Sequence, residues 1–175
     1  MRKLLNTELG RISAAAAAGA PKIPVVVVLD NVRSLGNVGA FFRTGDAFGV
    51  ERLVLCGITG TPPDRELHKT ALGAELTVPW EYAPDTATAV KKLHQEGYTV
   101  LAVEQVEGAV SLEDFVVVAG MRYALVFGNE VDGVAQNVVD VCDGAVEIPQ
   151  IGTKHSLNVS VSGGVVLWAF FSQLR

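Results

Sequence analysis

"VVVVLD" occupies Val25 to Asp30. A strand with one wet face alternates apolar and polar residues, and this run does not. It therefore predicts a strand covered on both faces, which calls for a sheet with helices on either side. Four further segments read the same way: "RLVLCG" (Arg52 to Gly57), "YTVLAVE" (Tyr98 to Glu104), "YALVFG" (Tyr123 to Gly128) and "AVEIP" (Ala145 to Pro149). Between them lie helical patterns at Asn37 to Phe48, at Asp85 to Gly97 with Asp85 as N-cap, at Val134 to Cys142 and at Ser156 to Leu174. Asn37 fits an N-cap, and "TGTPPDRE" (Thr59 to Glu66) reads as a loop that ends in a helix start. Strands alternating with helices predict an α/β domain with a mainly parallel sheet.

The chain has 175 residues, of which 49% are hydrophobic. That suits one domain with an arm, and it is too apolar for disorder. No apolar run reaches the ~18 residues of a membrane span. Glu8 and Arg11 interrupt any signal-peptide core. Cys56 and Cys142 are solitary, which points to a reducing, cytoplasmic compartment and away from structural zinc. His68, His94 and His155 are too scattered for a metal site. The net charge of −5 is unevenly spread. Residues 1–22 carry Arg2, Lys3, Arg11 and Lys22 against Glu8 alone, a net +3, which leaves −8 to the remainder. A basic arm on an acidic body is compatible with RNA as partner. The run Ala14–Ala18 favours a helix, so the expected organisation is a helical arm over 1–22 and an α/β domain over 23–175.

Parallel strands gather their following loops at the carboxyl edge, where ligands bind. Three of these loops are unusual: "NVRSLGNVGAFFRT" after Asp30, "GNEVDG" after Phe127 and "QIGTKHSLN" after Pro149. None is a GxGxxG fingerprint or a P-loop, which disfavours a Rossmann nicotinamide site. No GxSxG elbow exists, and His155 is badly placed to serve its neighbour Ser156 as a base, which argues against a hydrolase.

Taken together, "NVGAFFRT", "FGNE" and "IPQIGTKHSLNVS", each after a strand and in this order, resemble the three signature motifs of the SpoU (TrmH-like) branch of the SPOUT superfamily. The resemblance covers about Val25 to Leu174. It implies an S-adenosylmethionine-dependent RNA 2′-O-ribose methyltransferase with a parallel sheet, a C-terminal deep trefoil knot, and an active site formed at a homodimer interface. By this resemblance the catalytic residues are Arg43, Asn37, Glu130, Ser156 and Asn158. Glu130 is expected to orient Arg43 or Asn158. Backbone at Val103, Glu104, Gly128, Ile148 and Leu157 is expected to hold the cofactor, and no metal is expected. Guanidinium hardly deprotonates, so Arg43 is read as stabilising charge rather than as a base.

The C-terminal stretch "KHSLNVSVSGGVVLWAF" (Lys154 to Phe170) starts polar and then becomes apolar on nearly every side. An ordinary surface helix has one apolar stripe. Dimerisation accounts for the second face, with Gly163 and Gly164 as positions of close approach. Many family members add an RNA-recognition domain or basic terminal helices. The short arm here favours tRNA over rRNA as substrate. Two other readings stay open: a catalytically inactive cofactor- or RNA-binding module on the same fold, and an unrelated doubly wound nucleotide-binding enzyme.

Overall fold

The structure is a computed structural model, and it describes residues 1–8, 10, 12, 16, 19–154 and 156–175. Its strands are β1 (Ile23–Asp30), β2 (Val50–Cys56), β3 (Trp80–Ala83), β4 (Tyr98–Val103), β5 (Val110–Ser111), β6 (Arg122–Phe127) and β7 (Gly144–Glu147). The helices are α1 (Leu35–Phe48), α2 (Arg65–Ala71), α3 (Thr86–Gln95), α4 (Gln136–Val139) and α5 (Val159–Leu174). Short 3₁₀ turns lie at Asn6–Glu8 and Ala74–Leu76. One sheet in the order β3-β2-β1-β6-β4-β7-β5 contains all seven strands, and every pairing in it is parallel.

β1 is central, as its composition requires. Val25, Val27 and Leu29 face one core with Phe41 and Phe42 of α1, Leu67 of α2, and Val166, Leu167 and Phe170 of α5. Val26 and Val28 face a second core with Val90 and Leu93 of α3 and Val138 of α4. Burying each such side chain contributes about 1.5–3 kcal/mol before chain entropy is set against it. α5 crosses α1 at Gly163, where a Cβ would lie 2.3 Å from the Phe41 ring. Gly164 has nothing within 4 Å, so its close approach is not made inside this chain.

Several boundaries differ from the sequence reading. Ser34, rather than Asn37, caps α1, and its Oγ accepts from Asn37 N. Asn158 caps α5 through Ser160 N and Val161 N, so the helix starts at Val159 and Ser156 stays outside it. α4 is shorter than the expected Val134–Cys142. The backbone N–H groups of Val134 and Ala135 are taken by the carboxylates of Glu104 and Asp30. After the helix, Val141 and Cys142 close i→i−3 turns. Edge strands β3 and β5 carried no apolar run, since each is half-exposed. Asp85 caps α3 as expected, and Gly97 follows it with φ +85°.

In the arm, Arg2 makes a two-pronged contact with Glu8, whose carboxylate also accepts from Leu5 N. The alanine run lies outside the described residues apart from Ala16. Cys56 and Cys142 are free, and burial pushes each thiol up to about 12, so neither is a nucleophile at neutral pH. Among the described residues no helix is long and apolar enough to cross a membrane, and no cluster of three or more acidic, His or Cys residues is placed to hold a metal.

Candidate functional site

Strands β4, β6 and β7 end side by side, and a cavity of about 540 Å³ opens beyond their carboxyl ends. That volume lies within the ~300–1,000 Å³ range of small-molecule sites. Its walls are Val103–Gln105 after β4, Phe127–Gly133 after β6, Ile148 and Gln150 after β7, and Ser156–Val159 with Ser162 at the start of α5. Val103, Glu104, Gly128, Ile148 and Leu157, the five residues expected to surround a cofactor, all lie on this wall. Gly128 is where the backbone comes closest. A Cβ there would sit 1.9 Å from the carbonyl carbon of Gly133 and 2.1 Å from Val134 N.

Of the five expected catalytic residues, Glu130, Ser156 and Asn158 line the cavity. Asn37 joins them through hydrogen bonds. Its Nδ2 donates to Glu130 Oε1 at 2.8 Å, and its Oδ1 accepts from Asn158 Nδ2 at 3.2 Å and from Ser160 Oγ at 3.3 Å. Glu130 also accepts from Arg33 N at 3.1 Å and Ser34 N at 3.0 Å, at the positive end of α1. Glu130 is thus an acceptor only, and it orients Asn158 through Asn37. The expected link to Arg43 is not formed. Among the described residues, the exposed Arg43 side chain has no hydrogen bond or ion pair, and it does not line the cavity. Six residues separate Asn37 from Arg43, about 9 Å of helix rise and ~120° of rotation, so the two point from different faces of α1.

Burial alone would raise the Glu130 carboxyl pKa. Hydrogen bonds from Asn37 and from backbone N–H groups, including those of Arg33 and Ser34, outweigh burial and hold it below the ordinary carboxylate value. A depressed carboxylate contributes stability that is complete above its unfolded value of about 4.3 and is lost as pH falls through the folded one. We predict that the melting-temperature gap between wild type and Glu130→Gln stays constant from pH 7 to 5 and closes only below about pH 4.3. A gap that closes near neutrality would contradict the ionised assignment.

Sequence reading missed Asn129. Its Oδ1 accepts from Val131 N and Asp132 N, both at 2.9 Å, and this folds the loop that carries Glu130. The "GNE" string held that signal, because asparagine commonly bonds backbone two and three residues on. Ser160 was also missed, since its bond to Asn37 joins positions 123 apart, and Ser34 was passed over although its cap bond to Asn37 N is local. His155 lies outside the described residues. Among the described residues, the cavity wall carries Glu104, Glu130 and Asp132 and no lysine or arginine.

A parallel seven-stranded α/β sheet with a glycine-lined cavity at its carboxyl edge, rimmed by amide and carboxylate groups, defines a small-molecule-binding domain. The family model of the SpoU rRNA Methylase family matches residues 24–168, and the chain belongs to this family. The 23S rRNA (guanosine-2′-O-)-methyltransferase RlmB of Neisseria meningitidis is 33% identical over 148 residues, which are 82% of this chain and 56% of that protein. Among solved structures, the AdoMet-bound rRNA methyltransferase from Sinorhizobium meliloti superposes with a TM-score of 0.80 at 28% identity, covering 86% of this chain and 57% of that one. The A. aeolicus TrmH/SpoU tRNA modifying enzyme gives 0.79 at 26% identity, over 91% and 79%. The chain spans little more than half the length of the RlmB relative.

Proposed function

We propose that this chain transfers a methyl group from S-adenosylmethionine to a ribose 2′-hydroxyl of RNA. The observation that carries this reading is the cavity wall, where all five expected cofactor residues meet three of the expected catalytic ones. The cofactor, when bound, supplies the methyl group on its sulfonium. A wall that is acidic among the described residues favours a cationic ligand and disfavours phosphate there. Val103, Ile148 and Leu157 offer apolar surface that excludes water, and Asn37 and Asn158 hold fixed amide dipoles at the rim. Glu130, ionised and saturated with donors, positions these amides and donates no proton. Arg43 supplies positive charge for the 2′-oxygen as its proton leaves, and it anchors an adjoining phosphate.

Arg43 is exposed and does not line the cavity of its own subunit, which supports a site shared between two copies. α5 gives independent support. Val161, Val165 and Trp168 are each 40–51% exposed and recur along one face of the helix at i, i+4 and i+7. We expect a homodimer through this face, with an interface above ~2,000 Å². Sedimentation at micromolar concentration should give twice the chain mass, and a monomer there would remove the shared-site model. The trefoil knot belongs to the same proposal. Its support is that residues 156–159 line one cavity with the loops at 103–105 and 128–133.

The activity is tested by supplying methyl-labelled S-adenosylmethionine with unmodified tRNA and with 23S rRNA, then digesting to nucleosides. Label on a ribose 2′-oxygen is the expected result, and the acceptor that takes it identifies the RNA class. Calorimetric cofactor binding without transfer to any RNA would favour the non-catalytic binding module instead.

A further inference from the structure

Glu104 follows β4 and reaches across the cavity wall. Its Oε1 accepts from Gln105 N at 2.9 Å, and its Oε2 accepts from Val134 N at 3.0 Å. Its own N–H donates to Val146 O of β7 at 3.1 Å. Gly133, at φ +69°, makes room for the carboxylate: a Cβ there would lie 2.1 Å from Glu104 Oε2. One residue on, Ala135 N donates to the fully buried Asp30. The other end of the same loop carries Glu130, which grips the first turn of α1. The loop Asn129–Ala135 is therefore held at both ends by carboxylates, with Glu104 on the side expected for the cofactor and Glu130 on the side expected for the acceptor.

We infer that Glu104 is a positioning residue. By holding the Gly133–Val134 backbone, its carboxylate sets the loop from which Glu130 orients Asn37 and Asn158. This inference rests on the proposed methyl transfer. It gives the side chain a task separate from the cofactor contacts expected of its backbone. A Val134 amide that loses its acceptor swings the loop, and a misplacement of about 1 Å in a reacting constellation costs on the order of 10²-fold in rate.

The test compares Glu104→Ala with Glu104→Gln, which keeps an acceptor for Val134 N and removes the charge. Single-turnover methylation by Glu104→Ala should fall about 10²-fold, while S-adenosylmethionine affinity measured by calorimetry changes much less. Glu104→Gln should recover most of the rate. Glu104→Ala combined with Glu130→Ala should lose little beyond Glu130→Ala alone, because both act through one loop. Hydrogen exchange gives a readout independent of activity: the Val134 amide should lose protection in Glu104→Ala and keep it in Glu104→Gln. Unchanged Val134 protection in Glu104→Ala would overturn the inference. So would a Glu104→Gln variant that loses cofactor affinity as fully as the alanine, since that would assign the carboxylate to direct charge recognition. A wild-type protein that methylates no RNA would sink the proposed function and leave the exchange result to judge Glu104.

Discussion

Arg43→Ala should lower single-turnover RNA methylation by about 10²–10³-fold while melting temperature and cofactor affinity stay at wild-type values. Arg43 is exposed on α1 and has no intramolecular partner among the described residues, so truncating it orphans no buried donor or acceptor. Surface changes of this kind usually stay within about 0.5 kcal/mol of stability. The side chain also lies outside the cavity wall, so cofactor contacts are untouched. On the proposed function, what disappears is a fixed positive charge where negative charge grows on the 2′-oxygen, and one preorganised group of that sort is worth ~10²–10³ in rate. Arg43→Lys should rescue poorly, because an ammonium cannot reproduce the planar two-pronged phosphate contact. Calorimetry of cofactor binding paired with a single-turnover assay decides the matter. A rate near wild type would make Arg43 a surface residue and return the first motif to a structural role.

Gly128→Ala should destabilise the protein and empty the cofactor site together. The backbone of Gly128 is not in the left-handed region, so the constraint is space alone. An added methyl would overlap the carbonyl carbon and oxygen of Gly133 and the nitrogen of Val134, all backbone atoms that cannot rotate away. Overpacking costs ~1–3 kcal/mol and occasionally more, and rigid backbone on one side places this site at the upper end. For a chain of this length a 3 kcal/mol loss lowers the melting temperature by about 6–12 °C. The loop must move outward, and it carries Glu130 and one wall of the cavity, so cofactor affinity should fall with stability. Gly144→Ala is the control, because a Cβ there would make only an ordinary van der Waals contact, with Leu101 Cδ2 at 3.6 Å. A Gly128→Ala variant that melts and binds like wild type would show that the loop yields without cost.

The two variants probe different layers of what is written in the chain. Val25–Asp30 announced a strand covered on both faces, because a short, mostly β-branched run with no polar alternation suits a buried strand, and β1 is an interior strand of the sheet with a core on each face. The order of strands and helices followed from the same local rule. Edge strands β3 and β5 were invisible, since half-exposed segments carry no apolar pattern, and their pairing is decided by neighbours rather than by composition.

At the site, the resemblance of three motifs to those of a known family singled out Glu130, Ser156 and Asn158 and the five wall residues, and the cavity brings these eight together. Their connections were not legible. Asn37 and Asn158 are 121 positions apart, and Asn37 and Glu130 are 93 apart. Hydrogen bonds of about 3 Å across such separations exist only once the sheet has aligned its strand ends. The same holds for the caps. Asn37 looked like the N-cap of α1, but the chain turns earlier because Glu130 takes the N–H groups of Arg33 and Ser34. Glu104, read as a contributor of backbone, proved to hold the far loop with its side chain. Which segments are buried is legible in local composition, because burial follows from side-chain polarity. Only the tertiary structure decided which carboxylate meets which amide, because a hydrogen bond is a matter of tenths of an ångström between groups that the chain leaves far apart.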